Sequence, residues 1–187
     1  MKRLSILLLF LIALAPIDLS AQDYLKKRVV GAVEGDIGVG LATAANRFSN
    51  FGKARQGVDV NAEVRYNFHQ APVDLGVHFA LCSFKRGDSV KDMAKSYNFN
   101  SQNLLITSDY NLFQANNISL FFGLGAGVAW SELTKDSTKY GFNFCAMPRV
   151  GVEFSHNIRI TAAYKIFERA NNHLTISVGF AIGGGRR

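Results

Sequence analysis

Apolar and polar residues alternate without interruption from Val58 to Phe68. Val58, Val60, Ala62, Val64, Tyr66 and Phe68 form one row; Asp59, Asn61, Glu63, Arg65 and Asn67 form the other. A period of two sends successive side chains to opposite faces, so the segment predicts a β-strand with one apolar and one polar side. It is longer than the usual soluble strand of about 5–6 residues. It matches the roughly 9–11 residues that cross a bilayer at a tilt.

The same alternation predicts seven further strands. The first runs over Val29–Thr43, with Glu34 and Asp36 among small residues on one face. The third, Val73–Phe84, sets Asp74, His78 and Cys82 against Val73, Leu75, Val77, Phe79 and Leu81. The fourth, Tyr97–Phe113, has the weakest pattern, with Asn103, Thr107 and Asp109 opposite Leu104, Ile106 and Tyr110. The fifth, Ile118–Trp130, carries Ser119, Phe121, Gly123, Gly125, Gly127 and Ala129 on its second face. The sixth, Tyr140–Phe154, sets Cys145, Met147, Arg149 and Glu153 against Phe142, Phe144 and Val150. The seventh, Ile158–Ile166, places Arg159 and Lys165 together; the eighth, Leu174–Ile182, places Thr175 and Ser177 together.

Connections after the second, fourth and sixth strands are short, and Gln70-Ala71-Pro72 predicts a tight turn. Those after the first and third are longer, and the one after the fifth is intermediate. This alternation is that of an outer-membrane barrel, with tight turns at one end and loops at the other. The expected fold class is therefore all-β: an eight-stranded antiparallel up-and-down transmembrane β-barrel. The same strands could build a secreted soluble barrel of lipocalin type, turned inside out, with the apolar face lining a ligand cavity. The second face of the fifth strand favours the membrane form. Its glycines make a poor water-facing surface and a good wall for a narrow lumen. Aromatic residues gather near the strand ends: Tyr66, Phe68 and Phe154 at the turn side, Tyr97, Phe99, Trp130, Tyr140 and Phe142 at the loop side. They predict two interfacial girdles.

Residues 1–21 read as a signal peptide: Lys2 and Arg3, an apolar run from Leu4 to Ala15, then Pro16 and Leu19-Ser20-Ala21 before the cut. Residues 22–187 are then the barrel domain. No cysteine lies near the cut, which argues against a lipoprotein. Cleavage removes Lys2, Arg3 and Asp18, lowering the formal net charge of +7 by one. No Arg/Lys-rich run or basic-aromatic motif suggests nucleic acid as a partner.

From Leu120 to Lys165 the similarity becomes specific. Phe122-Gly-Leu-Gly-Ala-Gly127, Pro148-Arg-Val-Gly-Val-Glu-Phe154 and Ile158-Arg-Ile-Thr-Ala-Ala-Tyr-Lys165 resemble the small outer-membrane β-barrel domain widespread in Bacteroidota. This porin-like family belongs with the OmpA- and OmpX-type eight-stranded barrels. The resemblance implies a cell outer-membrane location, insertion by the barrel insertion machinery, and no cofactor. Many such chains finish on an aromatic residue, whereas this one ends Gly183-Gly-Gly-Arg-Arg187.

With the polar face inside, the lumen holds Glu34, Asp36, Asp59, Glu63, Asp74, Asp109 and Glu153 beside Arg65, Arg149, Arg159 and Lys165. Confined charges need partners, so these residues predict a structural network that plugs the lumen. The alternative is a narrow channel. Cys82 and Cys145 fall on non-adjacent strands and are expected to be free thiols. The Cys/His spacing suggests no zinc site. His78 is expected to be the lone luminal histidine. An enzyme of the lipid A-modifying kind would need a nucleophile and base at the rim. His173 with Ser131 or Ser137 is the weak candidate, and no catalysis is expected. The linkers after strands one and three carry Arg47, Lys53, Arg55, Lys85, Arg86, Lys91 and Lys95. They form a solvated rim that could meet lipopolysaccharide phosphates. The expected protein is a monomer with a structural or surface-interaction role.

Overall fold

The computed structural model describes residues 32–44, 53–68, 71–87, 97–114, 118–133, 138–155, 157–167 and 172–183. The proposed signal segment and the start of the first strand at Val29 lie outside them. Eight strands follow in order: β1 Ala32–Ala44, β2 Lys53–Asn67, β3 Val73–Gly87, β4 Tyr97–Gln114, β5 Ile118–Leu133, β6 Thr138–Phe154, β7 Ile158–Lys165 and β8 His173–Gly183. Each pairs antiparallel with its neighbours in sequence, and β1 closes on β8 from Glu34↔Gly183 to Ala44↔His173.

Register carries the alternation around the wall, because residues paired across antiparallel strands share a face. Asp36 faces Glu63, and Glu63 faces His78. All three are buried. The outward face is bare: Ile37 is 65% exposed, Ile106 69% and Phe142 78%. Burial is thus the reverse of a water-soluble domain, where charged side chains are almost never fully buried and large apolar ones usually are. A closed sheet with such an exterior suits hydrocarbon, where no backbone edge can be left unpaired. The soluble, inverted barrel is excluded by the same distribution. On the outside, Tyr66 meets Phe68, Tyr110 meets Phe122, and Trp130 meets Phe142 with ring centroids 5.1, 5.5 and 5.6 Å apart.

Three sequence expectations need correction. Phe99 does not join a girdle; it points into the barrel and is 1% exposed. Its parity is that of Ser101 and Asn103, and register overrides the usual interfacial preference of an aromatic. Next, β2 begins at Lys53 and β3 runs to Gly87, so Lys53, Lys85 and Arg86 have backbones in paired strand ends rather than loops, and Arg55 falls in a bulge of β2 between Ala54 and Gly57. Apolar alternation marks only the part of a strand that faces lipid, so it stops before the hydrogen-bonded ladder does. Finally, His78 is not alone: His173 opens β8 and is fully enclosed in the lumen.

The wall is uneven. β4, β5 and β6 have 18, 16 and 17 residues, β7 only 8. β6 pairs with β7 from Arg149↔Ala163 to Phe154↔Ile158, then again at a single bridge, Ala146↔Ile166. Both backbone bonds of that bridge are 2.8 Å long. Pro148 shares the parity of Ala146, so its missing N–H falls on the β7 side and interrupts the ladder. The turn from β6 to β7 is fixed by Ser155 in the left-handed region (φ 47°) and by Asn157. The Asn157 N–H donates to the Phe154 carbonyl at 3.1 Å, and its side-chain amide donates to the Ala181 carbonyl at 3.0 Å.

Candidate functional site

The lumen is crossed by ion pairs that join strands far apart in sequence. Arg149 of β6 lies between β2 and β4. Its Nε and Nη2 donate to the two oxygens of Asp109 at 2.8 and 2.9 Å. Nη2 also donates to Glu63 Oε1 at 2.7 Å, and Nη1 to Oε2 of the same carboxylate. Glu63 further accepts from Thr107 Oγ1 at 3.1 Å and meets His78 Nδ1 at 3.1 Å. Arg159 of β7 donates to Asp109, and its guanidinium lies 3.7 Å from the centroid of the Phe121 ring. A planar guanidinium suits this role, because it can fork to a carboxylate and stack on an aromatic face at once.

Two smaller groups flank this centre. Arg65 Nε donates to Glu34 at 2.8 Å and its Nη2 to Glu153 at 3.2 Å, while Asn67 adds an amide bond to Glu34 at 3.0 Å. Lys165 Nζ donates to Asp59 Oδ2 at 2.6 Å, and Asn61 Nδ2 to Oδ1 at 3.1 Å. Asp74 accepts from Asn111 Nδ2 at 2.8 Å. Asp36 makes no ion pair, and its Oδ2 has no hydrogen-bond partner. Asp36, His78, Arg149 and Lys165 are among the walls of a small polar cavity, about 20 Å³ open to the centre of a water molecule.

Small residues make this crowding possible. Gly123 lies between Asp109 and Arg149 in the register. A Cβ there would strike the Asp109 carboxylate and come within 2.6 Å of the Ser108 carbonyl. At Gly76 a Cβ would stand 2.8 Å from Thr107 Oγ1 and 2.9 Å from Glu63 Oε1. Above the charged layer, Leu105, Ala129, Cys145, Met147 and Ala163 form a small apolar cluster with Phe167 against it. Cys82 and Cys145 are both buried and unbridged.

The expected luminal acids and bases therefore share one interior. Sequence reasoning gave Phe121 no role, although its parity with Gly123 placed it inside, beneath Arg159. Of the basic rim residues, Arg47, Lys91 and Lys95 lie outside the described residues. The backbones of Lys53, Arg55, Lys85 and Arg86 cap β2 and β3. The weak catalytic trio does not assemble at a rim: His173 and Ser131 are buried and face inward, and Ser137 lies outside the described residues.

No protein-family model matches the sequence, and no curated protein matches it. Among solved structures, the fold is similar to Neisserial surface protein A (TM-score 0.55, 10% identity, covering 81% of this chain and 95% of that one). Lower similarity joins it to Ail, the attachment invasion locus protein of Yersinia pestis (TM-score 0.47, 16% identity, 82% and 100% covered). The outer membrane enzyme PagL compares at TM-score 0.42 and 14% identity, with 80% and 98% covered. At such identities the likeness is one of architecture. Closed topology, burial and the first of these comparisons define the class: a small eight-stranded transmembrane β-barrel.

Proposed function

We propose that the protein is exported by its N-terminal signal, inserts into the outer membrane as a monomer, and serves there as a barrel plugged by its own side chains. Its role in this reading is structural, or lies in contacts of the loop-side rim with lipid, lipopolysaccharide or other surface partners. In this reading it is neither an enzyme nor an open pore. The observation that carries the reading is the Arg149 group, which ties β2, β4 and β6 together across the space a solute would need. An eight-stranded barrel is just wide enough for side chains to fill. The resemblance to the Bacteroidota barrel family agrees with it, as does the buried position of His173.

Two measurements test the reading together. Detergent-extracted protein should migrate differently in gels before and after boiling, as closed barrels do. The same protein in planar bilayers should give no discrete conductance steps. Migration unchanged by boiling would overturn the membrane barrel, and regular steps would overturn the plug.

A further inference from the structure

Register sets Asp59 of β2 beside Cys82 of β3, Cys82 beside Ser101 of β4, and Ser101 beside Ser131 of β5. This inward row lies in the loop-side half of the lumen, near where β1 ends at Ala44 and β8 begins at His173. Gly40 and Ala42, the inward residues of β1 at that height, are small, and His173 opens β8, the strand on the far side of β1. One ligand atom from each of Asp59, Cys82 and His173 lies within 4.8 Å of the other two. All three residues are at most 2% exposed. The linear spacing of Cys and His gives no hint of this, because the three come from β2, β3 and β8.

We propose that Asp59, Cys82 and His173 form a zinc site inside the barrel. A carboxylate oxygen, a thiolate and an imidazole nitrogen are three donors that Zn²⁺ takes at about 2.0–2.3 Å. The sulfur selects against Mg²⁺ and Ca²⁺, which prefer all-oxygen shells. Lys165 occupies only Oδ2 of Asp59, and Oδ1 holds a 3.1 Å bond from Asn61 that a metal can replace. A second observation points to a ligand. The Ser131 hydroxyl, in the same row, and the Asn103 side-chain carbonyl, one inward position along β4, are buried without hydrogen-bond partners. Such orphaned groups are rare in folded interiors. They would hold a water or hydroxide as fourth ligand. Binding releases the Cys82 proton, so affinity rises with pH.

The test uses detergent-extracted protein exposed to Zn²⁺ or Co²⁺ and dialysed free of loose metal. One equivalent should remain, and the Co²⁺ form should show thiolate-to-cobalt charge-transfer absorption. Cys82→Ser and His173→Ala should each reduce retained metal at least tenfold, and Cys145→Ser should leave it unchanged. Retention below a tenth of an equivalent by the unaltered protein, or full retention by Cys82→Ser, overturns the site. Should a variant fail to fold, thiol labelling of the unaltered protein in partially denaturing urea decides. Zinc should slow modification of Cys82 at least fivefold and leave Cys145 alone. Equal effects on both thiols, or none, overturn the proposal.

Discussion

Arg149 reaches carboxylates on two other strands, so its removal strands charge in two places. Breaking a buried pair by taking away one partner costs about 3–5 kcal/mol, because the remaining charge stays buried. Arg149→Met should therefore lower stability by roughly that amount, read from urea unfolding followed by Trp130 fluorescence. Adding Glu63→Gln should recover part of the loss, since residues in one network are not additive. An effect no larger than that of an exposed Arg→Met would show that the network is not a stabilising unit. Gly123→Val tests the same centre from the other side: its side chain would occupy the place of the Asp109 carboxylate, beside the Ser108 carbonyl. The variant should fold in lower yield, with less of the heat-shifted band. At this scale the sequence was half legible. Parity put Glu63, Asp109 and Arg149 on inner faces, but which acid meets which base depends on the stagger between strands, and no single strand encodes that. Phe99 was misread because an aromatic near a strand end suggests an interfacial girdle, although its parity with Ser101 and Asn103 already placed it inside.

Strand identity was the most legible feature, because a lipid-facing side and a filled lumen impose an unbroken period of two. All eight strands were anticipated from it; their ends were not. β2 and β3 extend to Lys53 and Gly87 through residues that carry no apolar alternation. Pairing there is set by the neighbouring strand rather than by lipid. The weakest pattern in the chain, that of β4, arises because Leu105 is buried inside while Asn100 and Ser108 face outward. The outward face yields a graded prediction. Ile106 sits near the middle of β4, fully outward, so Ile106→Lys should cost about 2–4 kcal/mol. Ile118→Lys, at the turn end of β5, should cost about 0–1 kcal/mol. Folding titrations in lipid vesicles would show the difference, and equal costs would contradict the assigned depth.

As a whole, the molecule is a closed barrel, and the proposed lipopolysaccharide contact would fall on the rim where β2 begins and β3 ends. If that rim meets lipopolysaccharide phosphates, binding should weaken severalfold between low and physiological salt, as exposed charge contacts are screened. A Lys85→Gln, Arg86→Gln variant should lose much of that salt dependence in a vesicle-binding assay. Salt-independent binding would assign the contact to the apolar wall. The unequal strand lengths bear on the membrane itself. β7 has 8 residues, about 27 Å of chain at ~3.4 Å each, and roughly 20 Å of height at a tilt of ~40°. Among the described residues, β6 has no partner on its β7 side beyond Ala146. A bilayer fitted to so short a flank would be thinner there than opposite, and acyl chains around the protein would be sorted by length according to which side they touch.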